Sequence, residues 1–374
     1  MTPIELEQEH YKAYLRENTN TTTIQLTPED EVFLVVNSLI TQKVHPTNKH
    51  IAEDLIYDIP IILNGQEIGI LCLMTQIPSE PETLASLTDA QYAAYISMID
   101  ATALSSGAWP SFPYDCVVIQ EQHFASYKRN LKSSPLWGGF IHLGESQEIA
   151  NQKIGSKSLE IEIHENCVAR TTRHQDCLEL AARAAHSTER FLHLYHYLEL
   201  DYDYEVVKGI KAINENDPQK LWDILKLSRE DIDRIQHILR EYDNLPKLES
   251  LLTTLRYHEN AAIRIFYDYG KDSNPLKDAT AFREQFILSA CINRTELDNI
   301  KKAKSLSDNF CATEDSYQTK IIKLVCYWIY RFRCSIAHNK LGEYYLNQSD
   351  DMHFLVDFAE PLLVEMVRFR MSKP

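Results

Sequence analysis

Gln318-Thr-Lys-Ile-Ile-Lys-Leu-Val-Cys-Tyr-Trp-Ile-Tyr-Arg-Phe-Arg-Cys-Ser-Ile-Ala-His-Asn-Lys340 sets apolar side chains at Ile321, Val325, Trp328, Phe332 and Ile336. Steps of three and four residues place these on one stripe of a helix, which must therefore lie against a helical bundle. A helix buried along that stripe turns Arg331, Arg333 and His338 away from the core. Its start is predicted near Thr313-Glu-Asp-Ser316.

Working outward, the same periodicity governs the chain from about Thr172, where Leu178, Ala181, Ala182, Ala185, Phe191, Leu194, Tyr195 and Leu198 recur at helical spacing. Helix starts are predicted at Asp217-Pro218, at Ser228-Arg-Glu-Asp231 with its capping-box spacing, and at Asp278 ahead of Ala281. Residues 171–374 thus read as an all-helical bundle. Upstream, Asn64-Gly65 lies between two β-rich runs from Asp58 to Leu73, the strongest short-range hairpin signal. Thr88 caps a predicted helix, and Tyr114–Gln120 reads as a strand. Residues 1–170 are therefore an α+β domain, expected to sense or regulate. The stretch from Ala125 to Ser158, with Ser134-Pro-Leu-Trp-Gly-Gly139, is the most loop-like, and the domain junction is expected just beyond it.

The 44% hydrophobic and 25% charged content is that of a folded globular chain. Ten glycines include no phosphate-cradling loop and no dinucleotide fingerprint, which disfavours nucleotide motors and Rossmann oxidoreductases. No apolar run reaches bilayer length and the acidic start lacks a leader's layout, so a cytoplasmic protein without a membrane partner is expected. Eight scattered cysteines read as reduced thiols. The net charge of −16 repels phosphates at long range, so any nucleic-acid contact requires a local basic patch. Lys301, Lys302, Lys304, Lys320, Lys323, Arg331, Arg333 and Lys340 provide one in sequence.

Two ligand-like clusters compete with that segment. His164, Cys167, His174 and Cys177 form an H-x2-C, x6, H-x2-C array, but the gap is short for a zinc finger and lacks a turn former. His193 and His196 stand one turn apart among aromatics, which reads as a packed helix. Neither is taken as a metal site, and no cofactor is expected.

Arg331, Arg333 and His338 are chemically suited to phosphodiester cleavage. Arginine holds phosphate through paired hydrogen bonds and stabilises charge at phosphorus, while histidine exchanges a proton near neutrality. Arg333-Cys-Ser-Ile-Ala-His338 resembles the R-x4-6-H signature of HEPN domains, and Arg331 to His338 fits its longest spacing. The resemblance covers roughly residues 172–374 and implies an HEPN-like bundle. It further implies a metal-independent endoribonuclease, acting as a homodimer and leaving a 2′,3′-cyclic phosphate. Arg333, Arg331 and His338 would then be catalytic, with Lys323, Asn339 and Lys340 binding RNA. Members often serve as toxins or anti-phage effectors, so an inhibitor or antitoxin partner is a further expectation. On a regular helix, positions five apart diverge by about 140° and positions seven apart by about 20°, which sets Arg331 nearer to the face of His338. Cys334 stands where many active members carry Asn, Asp or His. The alternative is a catalytically silent HEPN scaffold that binds nucleotide, RNA or a protein.

Overall fold

The computed structural model describes residues 21–24, 33–36, 39–44, 58–77, 87–98, 112, 114–137, 161–184, 186–214, 219, 221–222, 224, 231–268, 274–307, 309–337, 346 and 351–373. These fall into two compact units, and the chain passes from the first to the second between Val168 and Ala169. The first is α+β and the second helical.

Among the described residues, the first unit holds β1 (Thr21–Ile24), β2 (Phe33–Val36), β3 (Leu39–Val44), β4 (Asp58–Leu63), β5 (Gln66–Cys72), β6 (Asp115–Gln120) and β7 (Ile161–Ile163). They form one sheet in the order β1-β2-β3-β6-β5-β4-β7. Neighbours run antiparallel except β4 and β7, which pair in parallel. Asn64 and Gly65 join β4 to β5 with φ values of 52° and 75°. That left-handed pair suits the twist of a two-residue hairpin, and these two residue types adopt it most readily.

Period-two alternation divides the buried side chains between the two faces. Val117, Ile119, Ile61 and Leu71 pack with Phe124, Tyr127 and Trp137. Cys116 and Val118 meet Ala90, Ala93, Ala94 and Tyr95 of α1 (Asp89–Met98) on the other face. Thr88 closes the start of α1 as predicted: its N–H donates to Gln91 Oε1 at 3.0 Å and its hydroxyl accepts from Gln91 N at 3.3 Å. Gln91 Nε2 in turn reaches Asp58 at the head of β4 at 2.9 Å.

The stretch read as most loop-like is helical over its described part. Helix α2 (Phe124–Asn130) runs into a 3-10 turn at Leu131–Leu136. Trp137 is buried there and donates to Ser133 Oγ at 2.9 Å. A buried indole that needs a partner overrides the turn chemistry of Ser-Pro-Leu-Trp.

In the second unit, α3 (Thr172–Arg183) follows Thr171, whose extended backbone and side-chain oxygen cap the helix by accepting from His174 N. Helices α4 (Ser187–Lys211), α5 (Asp231–Leu239), α6 (Leu245–Thr253), α7 (Arg294–Lys304), α8 (Glu314–Ala337) and α9 (Glu360–Ser372) surround an aromatic core. Trp328 has Phe266, Phe282, Phe332, Phe354 and Phe358 at centroid distances of 5.0 to 6.2 Å. Asp278 caps the short helix Ala279–Phe282 by accepting from Thr280 N and Ala281 N, as predicted. The starts assigned to Asp217-Pro218 and Ser228 lie outside the described residues.

Asp201 of α4 is fully buried and contacts both Arg170, at 2.9 Å, and Arg370 of α9. Glu205, one turn later, takes Arg170 at 2.7 Å and Arg370 at 3.0 Å. Arg170 Nη2 donates to Lys373 O at 2.8 Å and Arg370 Nη1 to Ile238 O at 3.0 Å. Two cations and two carboxylates thus balance, which is the condition for holding charge in a dry interior.

Candidate functional site

Helix α8 opens on a reciprocal cap in which Thr313 N donates to Ser316 Oγ and Ser316 N to Thr313 Oγ1, both at 3.1 Å. It runs for 24 residues. Of the predicted stripe, Ile321, Val325, Trp328 and Phe332 are buried and Ile336, near the end of the described helix, is half-buried. Burial does not stop there, because Ile322, Leu324, Cys326, Tyr327, Ile329, Cys334 and Ser335 are buried as well. A helix covered on nearly every side is central to its bundle rather than laid on the surface.

That centrality corrects the expected position of Arg331. Only 5% exposed, it lies inside the bundle rather than off the core. It follows Tyr327 by four residues and Trp328 by three, so it shares a packed side with both. Burial pushes the Tyr327 phenol up to about 12, with the Arg331 charge acting against the shift.

Arg333 keeps the outward position, with 21% of its side chain exposed. Its guanidinium lies 5.6 Å from the centroid of the Tyr195 ring. Glu199 and Asp231 approach Nη2 at 3.8 and 3.9 Å, distances of ion pairing rather than of hydrogen bonding. Burial opposes the Arg333 charge, but Tyr195, Asp231, Cys334 and Glu199 together hold its pKa above the ordinary arginine value. Burial pushes the Glu199 carboxyl up, with His196 and Arg333 opposing and Asp231 and Asp203 adding to it.

Beside Arg333 is a pocket of about 260 Å³ between α4 and α5, lined in part by Tyr195, Glu199, Tyr202, Asp203, Asp231 and Arg234. Its three carboxylates outnumber Arg234, and Arg333 supplies a second cation at the edge. A phosphate arriving at Arg333 therefore meets an acidic neighbourhood. One hint of this is present in the chain itself, since Tyr195 and Glu199 are one turn apart on α4. Asp231 comes from a separate helix and carries no such signal.

Lys323 is exposed on α8 ten positions before Arg333, about 15 Å along the axis, and does not join the same cluster. His338, Asn339 and Lys340 lie outside the described residues. The remaining lysines of the basic run are engaged locally. Lys302 pairs with Asp298, Lys304 reaches Glu284 at 3.2 Å, Lys301 donates to Asn309 at 2.7 Å, and Lys320 donates to Pro275 O.

Among the described residues no group of three His, Cys, Asp or Glu side chains is arranged to hold a metal. His174 makes contact with Thr171 Oγ1 through Nδ1 at 2.7 Å and lies edge-on to Tyr197. His164 faces Glu162 at 3.5 Å. His193 and His196 pair with Glu189 and Glu199 on their own helix at 3.8 and 3.9 Å. All eight cysteines are free thiols, and no described helix is long and apolar enough to cross a membrane. Comparison with protein-family models, curated proteins and solved structures finds no match to this chain.

Proposed function

We propose that the helical unit is an HEPN-type, metal-independent endoribonuclease that works as a homodimer. The observation that carries this reading is Arg333. It points outward on the last turn of α8, four residues short of the last described residue of that helix and five short of His338. In this reading Arg333 binds and polarises the scissile phosphate and His338 transfers the proton to or from the ribose 2′-oxygen or the leaving oxygen. Arg331 braces the motif from the packed side of the helix. A second motif brought up across a two-fold axis supplies the groups that one helix end lacks. Asn339, Lys340 and Lys323 contribute to RNA binding, and the α+β unit regulates. A toxin or defence role with an inhibitor partner accords with this chemistry.

The second reading is a catalytically silent scaffold of the same type. The carboxylates of Glu199, Asp203 and Asp231 beside Arg333 favour it, as does Cys334 at the position after the arginine.

The deciding experiment incubates purified full-length chain with RNA and sequences the ends produced, with and without EDTA. Cleavage leaving cyclic phosphates, unaffected by EDTA and lowered at least about 100-fold in His338→Ala and in Arg333→Ala, is the expected result. Undiminished cleavage in His338→Ala, or loss with EDTA, overturns the mechanism. RNA binding without cleavage supports the scaffold.

A further inference from the structure

A second pocket, of about 310 Å³, opens against the C-terminal turns of α4 and has the opposite character to the one beside Arg333. Its apolar wall includes Val206, Ala212 and Ile224, and its polar lining includes Lys208, His237 and Arg240. We propose that it binds a small organic anion, with a phosphate or carboxylate head held by Lys208, His237 and Arg240 and an apolar body against Val206, Ala212 and Ile224.

Charge placement supports this. Glu205 also lines the pocket and acts on Lys208 and His237, but its carboxylate is engaged by Arg170 and Arg370 at 2.7 and 3.0 Å, which leaves Lys208 and Arg240 as two cations facing one already paired carboxylate. Among the described residues Lys208 makes no ion pair. Arg240 meets the adjacent Glu241 at 3.6 Å, with 63% of its side chain exposed. The C-terminal carbonyls of α4 would disfavour an anion, yet those of Lys208 and Gly209 already accept from Ala212 N at 3.2 and 3.1 Å. The result is a cationic hollow on a chain of net charge −16.

Two further observations bear on the head group. Tyr202, which lines both this pocket and the one beside Arg333, lies edge-on to His237 with ring centroids 6.5 Å apart, so the imidazole stands at the pocket wall. His237 has its pKa lowered, first by burial and then by the charge of Arg240, with Arg370 adding and Glu205 and Glu241 opposing. Near neutral pH it therefore offers a neutral ring nitrogen, able to donate one hydrogen bond. The volume lies at the small end of the range for ligand pockets, about 300 to 1,000 Å³, and suits a one-ring molecule bearing a charged head.

The test is calorimetric titration of the full-length chain with phenyl phosphate, benzoate, inorganic phosphate and benzylamine. Saturable binding of phenyl phosphate or benzoate with Kd below about 1 mM is expected, and the stronger of the two identifies the head group. Inorganic phosphate, lacking the apolar body, should bind at least about fivefold more weakly, and benzylamine should not bind. The double variant Lys208→Ala, Arg240→Ala should lose at least about tenfold in affinity, because each removed cation takes a charge-assisted hydrogen bond with it. Both residues are exposed, so the variant should keep the wild-type melting temperature. No saturable binding of either aromatic anion, equal binding of benzylamine, or unchanged affinity in the folded double variant would overturn the proposal. None of these outcomes depends on ribonuclease activity.

Discussion

Replacing Asp201 with alanine removes the fully buried carboxylate that touches both Arg170 and Arg370. Among the described residues, Glu205 then remains as the one carboxylate bridging two guanidinium groups whose side chains are each 9% exposed. Breaking a buried ion pair from one side costs about 3–5 kcal/mol, because the remaining charge is left in a dry site. The helical unit extends from Ala169 to Pro374, about 200 residues. At about 2.1 cal/mol/K of unfolding entropy per residue, that is about 0.4 kcal/mol/K for the unit. The expected fall in its melting temperature is the quotient, about 7–12 °C. Differential scanning calorimetry on the full chain reads this directly. The control is Asp203→Ala on the same helix, an exposed residue whose loss should cost less than about 0.5 kcal/mol. A fall of under about 2 °C for Asp201→Ala, or equal falls for both variants, would refute the view that this cluster holds α9 to α4.

Acidification should destabilise the helical unit. His174, His237 and His258 are held below the ordinary histidine value, in each case first by burial. The unfolded chain takes up protons near pH 6.5 that the folded unit refuses, so this stability is complete above about pH 6.5 and is lost as the pH falls below it. A melting temperature that stays level or rises between about pH 7.5 and 5.5 would contradict the assignment. Glu199, with its pKa raised first by burial, acts in the opposite sense. Gly69→Ala should destabilise the α+β unit by about 1–3 kcal/mol or more, since an added Cβ would stand 3.0 Å from Ile119 Cα and closer still to Val118 O; chemical denaturation followed by far-UV circular dichroism measures it. Arg333→Ala should cost under about 1 kcal/mol, because its carboxylate partners lie at 3.8 and 3.9 Å. A larger loss on thermal melting would make Arg333 a structural anchor.

The features legible in sequence were those set by neighbours along the chain. Asn64-Gly65, the caps at Thr88 and Asp278, and the apolar stripe of α8 all follow from local backbone chemistry or simple periodicity. What the stripe could not convey was how many elements surround α8, so Arg331 fell on the wrong side of the expectation. Periodicity also failed where the helices widen. Arg264–Asp268, Arg283–Ile287 and Leu355–Ala359 form π-helical turns. Each such turn adds a residue to the repeat and shifts the register of the helix beyond it. The acids around Arg333 were hidden for a different reason, because Glu199 and Asp231 come from helices far from it in sequence.

The burial of Trp328 gives the molecule an optical property. Trp328 is 1% exposed in the helical unit, Trp137 is 2% exposed in the α+β unit, and Trp222 is 57% exposed. An indole moved from a dry interior into water shifts its emission to longer wavelength, whereas one already hydrated changes little. Each unit therefore carries its own internal fluorophore. With Trp109 and Trp222 replaced by Phe, Trp328→Phe leaves Trp137 to report the opening of the sheet and Trp137→Phe leaves Trp328 to report the loosening of the aromatic core, so the two units can be watched separately in one intact chain.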